Sequence, residues 1–377
     1  MRALLRALAT IVLAGLAIGF FPWPFVWVFL LGSYLGLWLF QRSHRIAPKI
    51  LSLNICLISF VFAVGEAVLS WQDGYSKETA AHTAHDHAYD GETDDVLGWR
   101  LIKNSRWHAK KFYDGKLLYD VVVTVGDNGL RITPPCRRGC TQAILFFGCS
   151  FTYGQGVNDS ETLPYQVALL TDRRYATYNF AVHGYGTHQM LAAIENGLVD
   201  TRVKEDARYI IYGAIYPEHI YRLAGLRSSW GHDPKYILDS HGEPRYLGHF
   251  DDEVCRRWIC TWVARQIEKS ALITKTTRLI QGFFKVDDAL FVAMVIKSRK
   301  LLLERFPNAE FHMIVWDQAP NEQVLSTLRN QGIKVHLIKD VLPSWWKRQY
   351  LIEHDGHPSA LAYRTVSQYV VQQIIHE

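Results

Sequence analysis

The sequence predicts an α/β fold: a parallel sheet with helices on both faces, behind an N-terminal membrane segment. Three observations predict it. From Ala143 to the end, apolar runs of strand length alternate with helix-length amphipathic stretches, the pattern of a parallel sheet. The first of those runs, Ala143 to Phe147, stops at Gly148-Cys149-Ser150. Such a stop puts a hydroxyl at the carboxyl end of a sheet, where open α/β folds place their chemistry. Finally, Ala7 to Phe40 carries no charged residue.

Composition fits this reading. The chain has 377 residues, 49% hydrophobic and 20% charged, enough for one large domain with added segments. The net charge of +5 is small for this length, and no basic run with interleaved aromatics points to nucleic acid. Of six cysteines, Cys136/Cys140 and Cys255/Cys260 form two close pairs. Each pair is a candidate disulfide if that part of the chain faces an oxidising compartment. A four-cysteine zinc site is the competing reading, and the spacings fit zinc knuckles poorly.

The membrane segment covers residues 1–72. One helix from Ala7 to Phe40 would be about 50 Å long, against a hydrocarbon core of about 30 Å. Two helices are expected instead, broken at Phe21-Pro22-Trp23-Pro24. A third span is expected from about Ile50 to Trp71, with Glu66 near its outer end. Arg2 and Arg6 precede the first span, and Arg42, Arg45 and Lys49 separate the second from the third. Keeping both groups cytoplasmic places everything after Trp71 on the periplasmic or extracytoplasmic side. A cleaved signal peptide is the competing reading of the first span.

Residues 73–95 are polar and rich in Asp, Glu and His, and read as a linker. Residues 96–140 read as a small β-rich lead-in. Tyr119–Val125 is its strand, Gly126-Asp127-Asn128-Gly129 a hairpin-type turn, and Leu130–Thr133 the return.

The α/β domain is expected over 141–377. After the first strand come a helix at Glu161–Leu170, a strand at Tyr175–Val182 and a helix at His188–Val199. A strand at Ala207–Ala214 follows, then a long helix at Ala289–Arg305 and a strand at Ala309–Trp316. Helix Asn321–Asn330, strand Ile333–Ile338 and helix Ser359–His376 complete the set. The stretch at about 228–284 breaks the rhythm and reads as an insertion over the sheet's carboxyl edge. Its aromatic-rich surroundings (Tyr221, Trp230, Tyr236, Tyr246, Phe250) are candidates for stacking on sugar rings.

Three blocks then converge on that edge. A serine nucleophile needs a base, and the base needs a group that holds its tautomer. Glu353-His354-Asp355-Gly356-His357-Pro358 lies between the last strand and the last helix. There His357 is the candidate base, Asp355 its orienting acid, and His354 a solvent-facing bystander. Between them in sequence, Asn179 to Thr187 ends a strand at His183-Gly184, where a backbone N–H is aimed at the same cleft, as an oxyanion hole requires.

In this order the blocks resemble the SGNH/GDSL hydrolase family. Gly148-Cys149-Ser150 with Gly154 and Gly156 matches its first block, Gly184 its second, and Asp355, His357 and Pro358 its last. The resemblance implies a three-layer flavodoxin-like parallel sheet. It also implies Ser150 as nucleophile, His357 as base and Asp355 as acid, with the N–H groups of Ser150 and Gly184 as oxyanion donors. Two departures stand out. Cys149 replaces the usual Asp of block one, which makes it a competing nucleophile. Tyr216-Pro217-Glu218-His219 stands where the family offers an Asn, so either His219 donates to the oxyanion hole or only backbone donors remain. The implied activity is a membrane-anchored serine esterase, without cofactor or metal. Its substrates are O-acyl esters, foremost O-acetyl, of envelope glycans or lipids, and no nucleic acid is expected. An O-acyltransferase using the same acyl-enzyme, and a catalytically weak glycan-binding relative, are the alternatives.

Overall fold

The computed structural model describes residues 33–35, 38–42, 45–81, 83–86, 91–216, 218–223, 232–253, 288–316, 320–344, 347 and 349–375. The chain divides into two compact units, 1–81 with 257–284, and 82–256 with 285–377.

In the first unit, helix α1 runs from Ile46 to Ala81. Its stretch Ile46–Gly65 is the one helix among the described residues long and apolar enough to cross a membrane, and only 11% of it is buried. Three spans were expected. The first, and most of the second, lie outside the described residues, so the multi-pass arrangement has no counterpart in them. The helix continues past Trp71, and strands β1 (Thr83–Asp86) and β2 (Gly91–Asp94) follow. The stretch expected to be a linker is therefore largely regular structure. Residues 73–81 continue α1, and the rest is backbone pairing, which a polar sequence does not forbid: β1 lies antiparallel to β4 (Arg106–Tyr113), and β2 to β3 (Gly98–Leu101).

The second unit holds the parallel sheet. Its strands are β6 (Gln142–Gly148), β7 (Ala176–Asn179), β8 (Asp206–Ala214), β11 (Glu310–Val315) and β12 (Lys334–Leu337). All four pairings are parallel, in the order β12-β11-β8-β6-β7. Counted along the chain, that is 2-1-3-4-5, the flavodoxin-like order. It has its switch point at the first strand, β6, between β7 and β8. Ala143 to Phe147 are at most 2% exposed, as an apolar strand covered on both faces must be.

Helices α3 (Leu163–Leu170) and α10 (Ala360–Val370) pack on each other, as do α4 (Thr187–Glu195) and α7 (Asp288–Arg305). The core forms two clusters. Leu145, Phe147, Tyr212, Met190 and Phe291 belong to one, and Ile144, Phe146, Cys149, Trp316 and Tyr363 to the other. Helix starts follow ordinary capping chemistry. The hydroxyls of Thr162 and Ser359 accept from Tyr165 and Ala362 N–H, and the Asn321 side chain caps α8 (Glu322–Asn330).

The lead-in is a meander. β4 pairs with β5 (Lys116–Thr124) across Asp114-Gly115. The expected turn at Gly126–Gly129 is present, closed by Gly126 N–H donating to Leu130 carbonyl at 2.9 Å. Of the insertion, the hairpin β9 (Pro234–Leu238) and β10 (Pro244–His249) is described, while 254–287 lie outside the described residues. Cys136 and Cys140 are joined in a disulfide. The Cys255/Cys260 pair lies outside the described residues.

Candidate active site

β6 carries Ser150 to the carboxyl edge of the sheet at the switch point. The turn is made possible by Gly148, whose φ is +151°. A Cβ there would lie 2.5 Å from Thr152 Oγ1 and 2.7 Å from the Gly213 carbonyl oxygen, so only glycine fits. Ser150 opens the short helix α2 (Ser150–Tyr153), and Thr152 and Tyr153 N–H both donate to the Cys149 carbonyl. Ser150 is 6% exposed, whereas Cys149 is fully buried among Phe146, Trp316 and Tyr363. The neighbouring thiol thus points into the core and does not compete as a nucleophile.

The loop beyond α2 is held by Arg131, a fully buried arginine of the lead-in. Its Nε donates to Asp159 Oδ1 at 2.9 Å, and its terminal nitrogens donate to the carbonyls of Tyr153, Gly154 and Val157. The guanidinium also sits 4.9 Å from the Tyr153 ring centre. Backbone N–H groups of β5 donate in turn to Asn158 and Asp159. The lead-in is therefore built into the turn that carries Ser150.

Asp355 and His357 sit on the loop before α10. Ile352 and His357 close it: Ile352 N–H donates to the His357 carbonyl, and Asp355 and Gly356 N–H donate to Ile352. His357 Nδ1 and its own N–H both bond to Asp355 Oδ1. That arrangement leaves Nε2 as the ring nitrogen not engaged by Asp355, the one a general base would use. The other oxygen, Oδ2, accepts from Lys111 Nζ of β4 at 2.6 Å. Burial pushes the Asp355 carboxyl up, but the bonds and charges of His357 and Lys111 outweigh it and hold the carboxyl well below the usual range. The His357 ring packs edge-on, 5.3 Å from the ring of Phe151, the residue after Ser150. Ser150 and His357 do not share a hydrogen bond in this structure.

Gly184 has φ +79° and lies in the turn after β7. Among the described residues, no acceptor takes the N–H of Ser150 or of Gly184. His183, beside Gly184, is buried against Trp99 and Tyr153. Burial, helped by the charges of His357 and Arg222, holds its pKa well below the usual histidine value. His219, on α5 (Glu218–Leu223), is fully buried, and its Nδ1 is bonded to Tyr212 Oη at 2.6 Å. Tyr212 continues the chain to Thr187 Oγ1 at 2.7 Å. His219 is thus bonded into an internal network through Nδ1, while its buried Nε2 has no hydrogen-bond partner among the described residues.

The structure therefore brings Asp355, His357 and Phe151 together, leaves the Ser150 and Gly184 N–H groups without an acceptor among the described residues, and bonds His219 to Tyr212 through Nδ1 alone. His354, expected to face solvent, is partly exposed but stacks flat on Tyr113 of β4 at 3.9 Å. Of the expected sugar-stacking aromatics, Tyr236 is 3% exposed and donates to Glu195, which removes it from that role. Tyr246 is 44% exposed, and Trp230 lies outside the described residues. Lys111 and Arg131 went unsingled in the sequence. Nothing local marks them, because each is defined by a partner that only folding brings near.

No protein-family model and no curated protein matches the chain. Solved structures similar to it include three carbohydrate esterases. One is described by an active site with divergent catalytic and non-catalytic binding functions (15% identity, 63% of this chain and 69% of that one, TM-score 0.33). Another is a family 2 carbohydrate esterase with a carbohydrate-binding domain from Corynascus thermopiles (Myceliophthora fergusii) (10%, 69% and 72%, 0.31). The third is the acetyl xylan esterase Est2A from the rumen bacterium Butyrivibrio proteoclasticus (11%, 71% and 69%, 0.33).

Proposed function

We propose that this protein is a membrane-attached serine esterase acting on O-acyl, foremost O-acetyl, esters of envelope glycans or lipids. The observation that carries the reading is the Asp355–His357 couple, its imidazole against Phe151 and hence beside Ser150 at the switch point. In the reaction, Ser150 Oγ attacks the acyl carbonyl while His357 Nε2 takes the hydroxyl proton. Asp355 holds the Nδ1 proton and stabilises the imidazolium. The oxyanion is received by the N–H groups of Ser150 and Gly184. Collapse expels the alcohol, protonated by His357, and water then releases the acyl group by the same route in reverse. The donors in this reading are backbone ones; His219 bonds Tyr212 through Nδ1, and its buried Nε2 has no partner among the described residues. Losing one donor typically costs about 100- to 1000-fold in rate, so slow hydrolysis is expected. Water and a sugar hydroxyl attack the acyl-enzyme through the same oxyanion donors, so a weakened hole slows both, and the choice of acceptor falls to the rest of the cleft.

The catalytic domain is 141–377, and the lead-in at 96–140 belongs to it functionally through Arg131 and Lys111. Arg42 and Arg45 before α1, and Lys49 in its first turn, orient the apolar helix with its far end outside the cytoplasm. The Cys136–Cys140 disulfide suits that compartment. A reporter fused after Trp71 tests this orientation, and activity of a cytoplasm-only reporter there would overturn it.

The test of activity is release of aryl acetate by the wild type, Ser150→Ala and His357→Ala. A rate above background in the wild type and at background in both variants is expected. Equal rates in all three would remove the catalytic reading. Added oligosaccharide acceptors separate transfer from hydrolysis by the appearance of acylated sugar.

A further inference from the structure

The triad acid has a partner that a serine esterase does not need. Asp355 carries no exposed side-chain surface, and the Lys111 side chain bonded to it is only 12% exposed. Oδ1 serves His357 and Oδ2 serves the ammonium. An unshared carboxylate stabilises an imidazolium and so raises the proton affinity of the base. An ammonium on the second oxygen offsets that charge where little water screens it.

The lysine is placed firmly. It lies on β4, in register opposite Tyr119 of β5. Two residues along, Tyr113 stacks on His354 with ring planes 2° apart. β4 therefore grips the acid–base loop at two points, across 244 residues of sequence.

We propose that Lys111 is a positioning residue that sets the proton affinity of His357 through Asp355, keeping the imidazole neutral to lower pH than an unshared aspartate would. The proposal rests on the esterase reading for its kinetic consequence, though the charge coupling itself does not. The other groups around His357 leave room for this control. On its own loop, Glu353 and His354 are about half exposed and lie 3.7 Å from each other. The turn after β7 contributes His183, kept neutral by burial. From α2 come Ser150 and the uncharged Phe151. Lys111 is the buried cation among them. Neutralising the acid also weakens its hold on the imidazolium formed during reaction, so the device exchanges rate at neutral pH for activity in mildly acidic surroundings.

The test uses the full chain in detergent. The pH dependence of kcat/KM for an aryl acetate is measured for the wild type, Lys111→Arg, Lys111→Met and Lys111→Gln. The two neutral variants are expected to move the acid limb upward by about one pH unit, and Lys111→Arg to leave it within a few tenths. Uniform loss of activity across pH with an unmoved limb would make Lys111 a structural prop and overturn the proposal. Histidine imidazole resonances, titrated in Ser150→Ala with and without Lys111→Gln, read the coupling without catalysis. The same upward shift of the His357 midpoint is expected there, and its absence overturns the proposal. If Ser150→Ala hydrolyses as fast as the wild type, the esterase reading fails, while the resonance shift still decides the Lys111 coupling.

Discussion

The nucleophile turn and the acid–base loop meet at one sheet edge but are held by different physics. The turn around Ser150 is a backbone device. Gly148 presses against the Gly213 carbonyl, and Arg131 spends its guanidinium on the carbonyls of the following loop. Both are buried, and neither touches substrate in the proposed reaction. The loop carrying Asp355 and His357 is a side-chain device, fixed by an ion pair to Lys111 and by the half-exposed stack of Tyr113 on His354. Damage to the first region is therefore expected to appear as lost stability, and damage to the second as altered chemistry.

The largest expected effect separates the two most sharply. Arg131→Met strands three carbonyls and the Asp159 carboxylate, and should cost about 3–5 kcal/mol of unfolding free energy, the range for breaking a buried charged network. Denaturant unfolding measures it, and a loss below about 1 kcal/mol would show that the lead-in is not integral to the turn. Next is Gly148→Ala, with φ at +151° and a Cβ within 2.5 Å of Thr152. About 2 kcal/mol or more should be lost, together with esterase activity, because Ser150 shifts with the turn.

Acid separates the regions by pH window. His183 has a folded pKa held well below 6.5 by burial. The unfolded chain therefore binds more protons below about pH 6.5, and stability falls as pH drops, by about 1.4 kcal/mol per pH unit for such a group. His188 and His312, each lowered to about 3, act in the same direction. Asp355 is the opposite type of group, a depressed carboxyl. Its stabilisation is complete above the unfolded value of about 3.9 and is lost only as pH falls through the lower folded value. In unfolding curves from pH 7 to 3, His183→Gln should flatten the upper window, and Asp355→Asn only the part below about pH 4. The smallest effect is expected for Tyr113→Ala, which removes one exposed stack worth about 0.5–1 kcal/mol. Global stability should barely move, while amide exchange in residues 352–358 accelerates.

Much of the fold was legible because it depends on local pattern. The strand expected at Ala207–Ala214 is found at Asp206–Ala214, and the helix expected at Ala289–Arg305 at Asp288–Arg305, since long periodic runs declare their type. β4 was not legible. It falls inside the β-rich lead-in expected at 96–140, but the only strands named there were Tyr119–Val125 and its return, and it is pairing with β5 that makes RWHAKKFY a strand. In the polar stretch after Trp71, α1 runs on to Ala81 and β1 and β2 pair at edges through the backbone alone, which leaves no apolar signature.

For the proposed site, chain order together with the family resemblance singled out Ser150, Gly184, Asp355 and His357. Glycine-terminated strands and the last loop of an alternating α/β pattern must all reach one edge of a parallel sheet. Sequence also determined that a long apolar helix precedes this domain, because hydrocarbon length and charge placement follow from composition. Tertiary structure alone decided three things: that Cys149 faces the core, that His219 is bound to Tyr212, and that Lys111 reaches Asp355. Each depends on which way a side chain points and on a partner distant in sequence. Those are properties of packing, which residue spacing along the chain does not encode.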